Sequence, residues 1–267
     1  MTKLERLKKI LSSIDGIIIG FSGGVDSSFL LKVAQECLPP EKILAVTASS
    51  PIFPGHELKT ARAFAADLGV RHRVITADPF AVPEFAANVP ERCYYCKRAL
   101  FTRLKTMAAE EQLEAVVDGT NFSDQGDYRP GMKACRELGI RSPLLEAELT
   151  KEEIRRLSAD YQLSTWDLPS FACLATRFPY GTPITLEGVR RVEAGETLLR
   201  QLGYRQFRLR DHGSIARIEI EPLQFDNLLQ HRIAIIQFFK ELGYVYVCMD
   251  MEGYRSGSLN RMVESRN

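Results

Sequence analysis

Residues 16–34 read GIIIGFSGGVDSSFLLKVA: an apolar run, a Ser-Gly-Gly turn, then Asp-Ser-Ser ahead of a second apolar run. Ile17, Ile18 and Ile19 are β-branched and consecutive, the pattern of a strand buried on both faces of a parallel sheet. Phe29, Leu30, Val33 and Ala34 recur at helical spacing, so a helix is predicted to follow. Ser22, Gly23 and Gly24 let the backbone turn tightly and approach a ligand closely. The N–H groups of Val25 and its neighbours then open the helix and point at whatever sits there. Strand, glycine turn and helix in that order make an anion site, most often for phosphate. Ser22, Ser27 and Ser28 add hydroxyl donors, and Asp26 is placed to hold Mg²⁺ beside the phosphates. The alternative is an ordinary tight turn between strand and helix.

The loop is not a Walker loop, which needs a longer glycine spacing and a Lys before the Ser. It also lacks the third glycine, near Ser27, of a dinucleotide fingerprint. Composition sets wider limits. The chain has 267 residues, 45% of them hydrophobic and 26% charged, with a formal net charge of +1. This is ordinary globular composition, enough for one full α/β domain and a smaller one. A balance so near neutral argues against nucleic acid held by bulk positive charge. Residues 1–14 alternate Lys, Leu, Arg and Ile like an amphipathic helix and lack the apolar core of a signal peptide. No apolar run approaches the ~20 residues that span a bilayer. A cytoplasmic protein is therefore expected, its six cysteines reading as ligands, catalysts or buried apolar residues rather than disulfides.

Strand and helix patterns alternate onward from this loop. Strands are predicted at 42–48, 72–77 and 114–121, with a further short one at SPLLE (142–146). Helices are predicted at 56–69, 96–112, 130–139 and 150–162, the last opened by a Thr150/Glu153 capping box. Such units imply a doubly wound parallel sheet with helices on both faces, and ligands at the carboxyl ends of the strands. The proline-rich stretch 167–185 has no clear period and reads as a functional loop. After it the order is helix, two strands joined at Gly213, one long helix and a last strand, a small α+β unit. The expected division is an α/β domain over 1–167 and a smaller C-terminal α+β domain over 168–267.

VDGTNFSD (117–124) puts Asp118, Gly119 and Asn121 at a strand end, an oxygen-rich turn suited to Mg²⁺ or a ribose, or simply turn chemistry. Arg129 follows nearby and could pair with a phosphate. Cys93 and Cys96 form a CxxC opening a helix, where the positive dipole end favours thiolates. A redox pair would follow the first strand of a thioredoxin pattern, and a structural zinc would need a second close ligand pair. The remaining reading is a metal centre completed at a distance. Cys173 is its natural third ligand, on irregular backbone beside Arg177, which favours the thiolate. Three such cysteines complete a 4Fe–4S cluster except for one iron. Cys37, Cys135 and Cys248 lie in apolar elements and read as inert buried residues. Arg208 and Arg210 share one face of a strand and suit a phosphate or carboxylate, unless that face is merely solvated. On the next strand Arg217, Glu219 and Glu221 share a face; the carboxylates could bind a metal at a subunit interface or face water.

The loop at residues 22–28 resembles the pyrophosphate loop (PP-loop) of the N-type ATP pyrophosphatases, which cleave ATP between the α- and β-phosphates and adenylylate a substrate oxygen. RCYYCK, DGTN, DYRPGM, LPSFACLATR, RDHGSIARIEI and GYRSGSLN extend the likeness over nearly the whole chain to the LarE family of sulfur transferases. The resemblance implies ATP and Mg²⁺ as cofactors and a pyridinium dicarboxylate mononucleotide as substrate. One carboxylate would be adenylylated and an oxygen replaced by sulfur, toward the nickel-pincer cofactor of lactate racemase. It implies ATP contacts from the loop, Asp118, Gly119 and Asn121, and catalysis by Asp26 and Cys173. Substrate contacts would come from Arg129, Arg177, Arg208, Arg210 and Arg255. Some members take the sulfur from the single loop cysteine; the CxxC here is instead similar to the cluster-dependent tRNA thiolases. A homo-oligomer, a sulfide donor and a downstream nickel-inserting protein are the expected partners, without nucleic acid or membrane. A tRNA thiolase and an amide-forming ligase of the NAD synthetase type are the rival readings.

Overall fold

The structure, a computed structural model, describes residues 1–126, 130–169, 172–255 and 258. The chain divides into two compact units, Met1–Asp78 with Cys93–Phe171, and Pro79–Arg92 with Ala172–Asn267. A single cut after residue 167 does not describe this division, because Pro79–Arg92 leaves the first unit and joins the second. Asn88 shows why. Fully buried, it donates to the carbonyls of Pro179 (2.7 Å) and Thr182 (2.8 Å) and accepts from Arg92 (2.6 Å). Arg92 also lies over the Tyr180 ring, 4.5 Å from its centroid.

In the first unit the order is α1 (Lys3–Ser12), β1 (Ile17–Gly20), α2 (Val25–Cys37), β2 (Ile43–Ser49), α3 (Gly55–Asp67) and β3 (His72–Thr76). After α4 (Pro83–Ala86) in the second unit come α5 (Arg92–Glu110), β4 (Ala115–Val117), α6 (Pro130–Glu137), α7 (Pro143–Glu146) and α8 (Lys151–Asp160). The strands pair in parallel in the order β3–β2–β1–β4, with Ile17 opposite Ile43 on one side and Ala115 on the other. Side chains alternate between two cores, which is why three consecutive isoleucines are needed. Ile17 and Ile19 enter a cluster with Leu7, Phe29 and Ile154, whereas Ile18 enters one with Phe101 and Leu104. Each fully buried isoleucine contributes about 1.5–3 kcal/mol. This is the doubly wound sheet read from the sequence.

SPLLE is not a strand. Pro143 lacks an N–H for a ladder but suits the first turn of a helix, and the segment folds as α7. The sheet retains only an isolated parallel bridge there, Val117 to Arg141. The capping box on α8 is present, and Thr2 with Glu5 forms a second one on α1.

The second unit continues with α9 (Leu186–Gln201), β5 (Phe207–His212), β6 (Ile215–Ile220), α10 (Phe225–Gln230), α11 (Arg232–Glu241) and β7 (Tyr246–Met249). β5 and β6 are antiparallel, β6 and β7 parallel, and Leu199, Leu209, Ile218 and Phe239 pack between sheet and helices. The long helix expected before β7 breaks at His231. Its ring nitrogen competes for the Asn227 carbonyl, and its N–H turns toward Leu228 O at 3.1 Å. Cys248, expected to be buried, is exposed on β7, a strand paired on one side only within its sheet. Among the described residues no helix is long and apolar enough to cross a membrane.

Candidate active site

The Ser-Gly-Gly turn leaves β1 and ends at Gly24, the N-cap of α2, which gives the helix no side-chain cap. The first N–H groups of α2 are therefore open to an anion. Gly23 is required twice over. Its φ is +76°, and a Cβ there would stand 3.0 Å from the backbone of Ala61. Ser27 Oγ donates to Gly24 O (3.2 Å) and lies 3.1 Å from Ser22 Oγ, which accepts the Gly24 N–H (3.3 Å). Val25 sends its side chain into the core, so only its backbone can serve a ligand. Ser28 Oγ is buried and has no hydrogen-bond partner among the described residues.

Asp26 is largely buried, and its Oδ1 has no hydrogen-bond partner among the described residues. Burial pushes its carboxyl up from the usual Asp range; Asp124 adds to the rise, while Lys151, Arg155 and a hydrogen bond from Asn121 oppose it. A buried carboxylate oxygen with no donor, beside a second carboxylate, suits a hard divalent cation that takes oxygen ligands. Asp124 is the second Asp of the oxygen-rich VDGTNFSD turn that the sequence marks as suited to Mg²⁺, whereas Lys151 and Arg155 carry no sequence signal beyond opening a helix.

Asp118 is engaged within the protein. Its oxygens accept from Thr120 N (3.1 Å), Thr120 Oγ1 (2.7 Å) and Ser142 Oγ (2.7 Å), with Lys97 Nζ at 3.8 Å. Its side chain thus holds the turn that presents Asn121, which is buried and faces Asp26. The backbone of the same turn meets the first loop, since a Cβ on Gly119 would lie 3.2 Å from Ser27 N.

The cysteines fall into both units. Cys93 and Cys96 stand half-buried in the first turn of α5, in the first unit, and Cys173 is half-buried in the second. Among the described residues no group of three or more His, Cys, Asp or Glu side chains is arranged to hold a metal ion.

In the second unit Arg177 and Arg210 are committed to glutamates. Arg177 makes a two-point pair with Glu196 (2.7 and 3.0 Å), and Arg210 with Glu219 (2.9 and 2.7 Å), all four side chains buried. Glu219 therefore does not face water; it is 1% exposed and also accepts from Arg217 at 3.1 Å. Arg208 lies over the Tyr254 ring at 5.0 Å and donates to Phe207 O at 2.7 Å. Burial lowers its pKa, as do the like charges of Arg177 and Arg210. That crowding of positive charge favours an added anion. Arg255 is exposed, 3.8 Å from Glu252. Arg129 lies outside the described residues.

The NAD synthase family model matches residues 5–122, the span that carries the sheet, the Gly-Gly loop and the DGTN turn. With that sheet and that loop, the protein is an ATP-using enzyme of the PP-loop class, with the adenine nucleotide alpha hydrolase-like fold. An uncharacterised protein of Synechocystis sp. is 41% identical over 264 residues, 98% of each chain. The pyridinium-3,5-bisthiocarboxylic acid mononucleotide synthase of Lactiplantibacillus plantarum is 36% identical, over 97% of this chain and 94% of its own. An uncharacterised protein of Methanocaldococcus jannaschii is 32% identical, over 90% of this chain and 91% of its own. The chain belongs to the family of that synthase, LarE.

Proposed function

We propose that this protein adenylylates a carboxylate of pyridinium-3,5-biscarboxylic acid mononucleotide and exchanges a carboxylate oxygen for sulfur, in nickel-pincer cofactor synthesis. The observation that carries this reading is the 36% identity to the synthase over 97% of the chain. A substrate carboxylate oxygen attacks the α-phosphorus of ATP, and the bond to the β-phosphate side breaks with release of pyrophosphate. A sulfur nucleophile then attacks the acyl carbon, and AMP leaves with the oxygen.

Within this reading Ser22–Ser28 hold the phosphates, Asn121 and Gly119 border the nucleotide, and Asp26 with Asp124 hold Mg²⁺. The buried, unpartnered Oδ1 of Asp26 supports that last assignment. Mg²⁺ bound there supplies charge neutralisation of the departing pyrophosphate. Arg208 meets an acid group of the substrate, Arg177 and Arg210 fix the strand that carries it, and Arg129 and Arg255 are further contacts. Cys93, Cys96 and Cys173 are the residues that would hold a 4Fe–4S cluster, which when bound supplies an iron with an open position for sulfide. Without it, Cys173 is the sulfur donor: its thiolate bonds the acyl carbon as AMP leaves, and its Cβ–S bond then breaks with loss of the Cα proton, leaving dehydroalanine at position 173. We place the protein in the cytoplasm, as a homo-oligomer, served by a sulfide donor and followed by a nickel-inserting protein.

The test is incubation with ATP, Mg²⁺ and the pyridinium dicarboxylate nucleotide, read by mass spectrometry. AMP, pyrophosphate and a product carrying sulfur in place of oxygen are expected. AMP formation with tRNA or with ammonia, and none with the pyridinium nucleotide, would overturn the reading.

A further inference from the structure

The first unit contains a cavity of about 510 Å³ that the nucleotide loop does not use. That is within the range that holds small-molecule ligands. Two exposed cations, Lys133 and Arg136, stand in its lining one turn apart on α6. Lys133 is 70% exposed, and the Glu137 carboxylate 3.9 Å away is itself 46% exposed. Such a pair is weak and yields readily to a better anion.

The less exposed part of the wall has a different chemistry. Thr120 and Ser142 line it, and both hydroxyls spend their protons on Asp118, at 2.7 Å each. The Cys135 thiol, also in the wall, bonds the same carboxylate. What the two hydroxyls still offer is lone pairs, so this part of the wall accepts hydrogen bonds rather than giving them. Gln125 adds an amide that can do either, and Met132 and Leu145 supply apolar wall. A ligand that satisfies both parts of the lining carries hydroxyl donors and an anionic group. From these facts we infer that the cavity binds a phosphoribosyl group, ribose hydroxyls on Thr120 and Ser142 and phosphate on Lys133 and Arg136.

The cavity also touches the ATP chemistry through the chain itself. Thr120 is in its wall, and the preceding residue, Gly119, lies against Ser27 of the phosphate loop. The inference deepens the proposed function where the phosphoribosyl group is that of the pyridinium substrate; a free sugar phosphate is the other source.

Calorimetry with ribose 5-phosphate tests it directly, on the wild type and on a Lys133→Gln/Arg136→Gln variant. Both substitutions are at exposed positions, so the fold should survive, as circular dichroism can verify. Binding to the wild type and at least about tenfold weaker binding to the variant are expected, with ATP affinity unchanged. Equal binding by both proteins, or none by the wild type at millimolar concentration, overturns the inference. Competition by the pyridinium nucleotide identifies the substrate as the source; a lack of competition identifies a free sugar phosphate. Failure of the proposed function is read separately, as absence of sulfur-bearing product from the wild type.

Discussion

Gly119 rests on Ser27: a β-carbon on the one would stand 3.2 Å from the backbone nitrogen of the other. The turn after β4 and the loop after β1 are therefore in close contact, with no room for a side chain between them. Gly119→Ala should push the loop by a few tenths of an ångström and misalign the N–H groups that open α2. Overpacking of this kind costs about 1–3 kcal/mol. We expect ATP binding by calorimetry to weaken by about tenfold or more, with the same far-ultraviolet circular dichroism. Unchanged ATP affinity would separate the turn from the nucleotide site.

Asp26 should trade stability for activity. Burial raises its folded pKa, so between the ordinary Asp value and the folded value the native state holds more proton than the unfolded chain. Stability without Mg²⁺ then falls as pH rises through that window, and the full penalty remains above it. Asp26→Asn removes the charge and should gain about 0.5–2 kcal/mol at pH 7 in urea denaturation. The gain should vanish below the ordinary Asp range. Pyrophosphate release should meanwhile drop a hundredfold or more, roughly 3 kcal/mol of transition-state stabilisation. A variant that is less stable at pH 7, or as active, contradicts this account.

The pair between Arg210 and Glu219 is nearly dry, with side chains 5% and 1% exposed. Glu219→Ala strands the Arg210 cation among Arg208 and Arg217, and should cost about 3–5 kcal/mol. Replacing both members by Met should cost much less, since no charge is then left unpaired. Guanidinium denaturation of the two variants decides it; equal losses would mean that the pair stabilises through packing and not through charge.

Thiol chemistry should sort the cysteines by surroundings. Burial, with Asp118 adding and Lys97 opposing, pushes the Cys135 thiol up to about 12. It should resist maleimide at pH 7.5 in the native protein, while exposed Cys248 reacts first. Peptide mapping after brief labelling reads the order. Early modification of Cys135 would mean that its cavity wall opens in solution.

Strand, glycine turn and helix at residues 16–34 were legible because they are local. Three consecutive β-branched residues have to be buried on both faces, and only glycine takes the φ of +76° at Gly23. The same locality exposed the capping box of α8 and the doubly wound sheet. SPLLE misled because a short apolar run has no period of its own, and Pro143 favoured a helical turn. Arg210 read as an open anion site because two-residue spacing fixes a face and not a partner; Glu219 arrives from the neighbouring strand. Asp124 joins Asp26, and Ser142 joins Asp118, across 98 and 24 positions respectively. Hydrogen-bond partners and the burial that shifts a carboxyl come from chain segments that meet only once the sheet has formed. Sequence periodicity decided the layers and local residue types decided the glycine turn; tertiary packing alone decided which charged groups were paired.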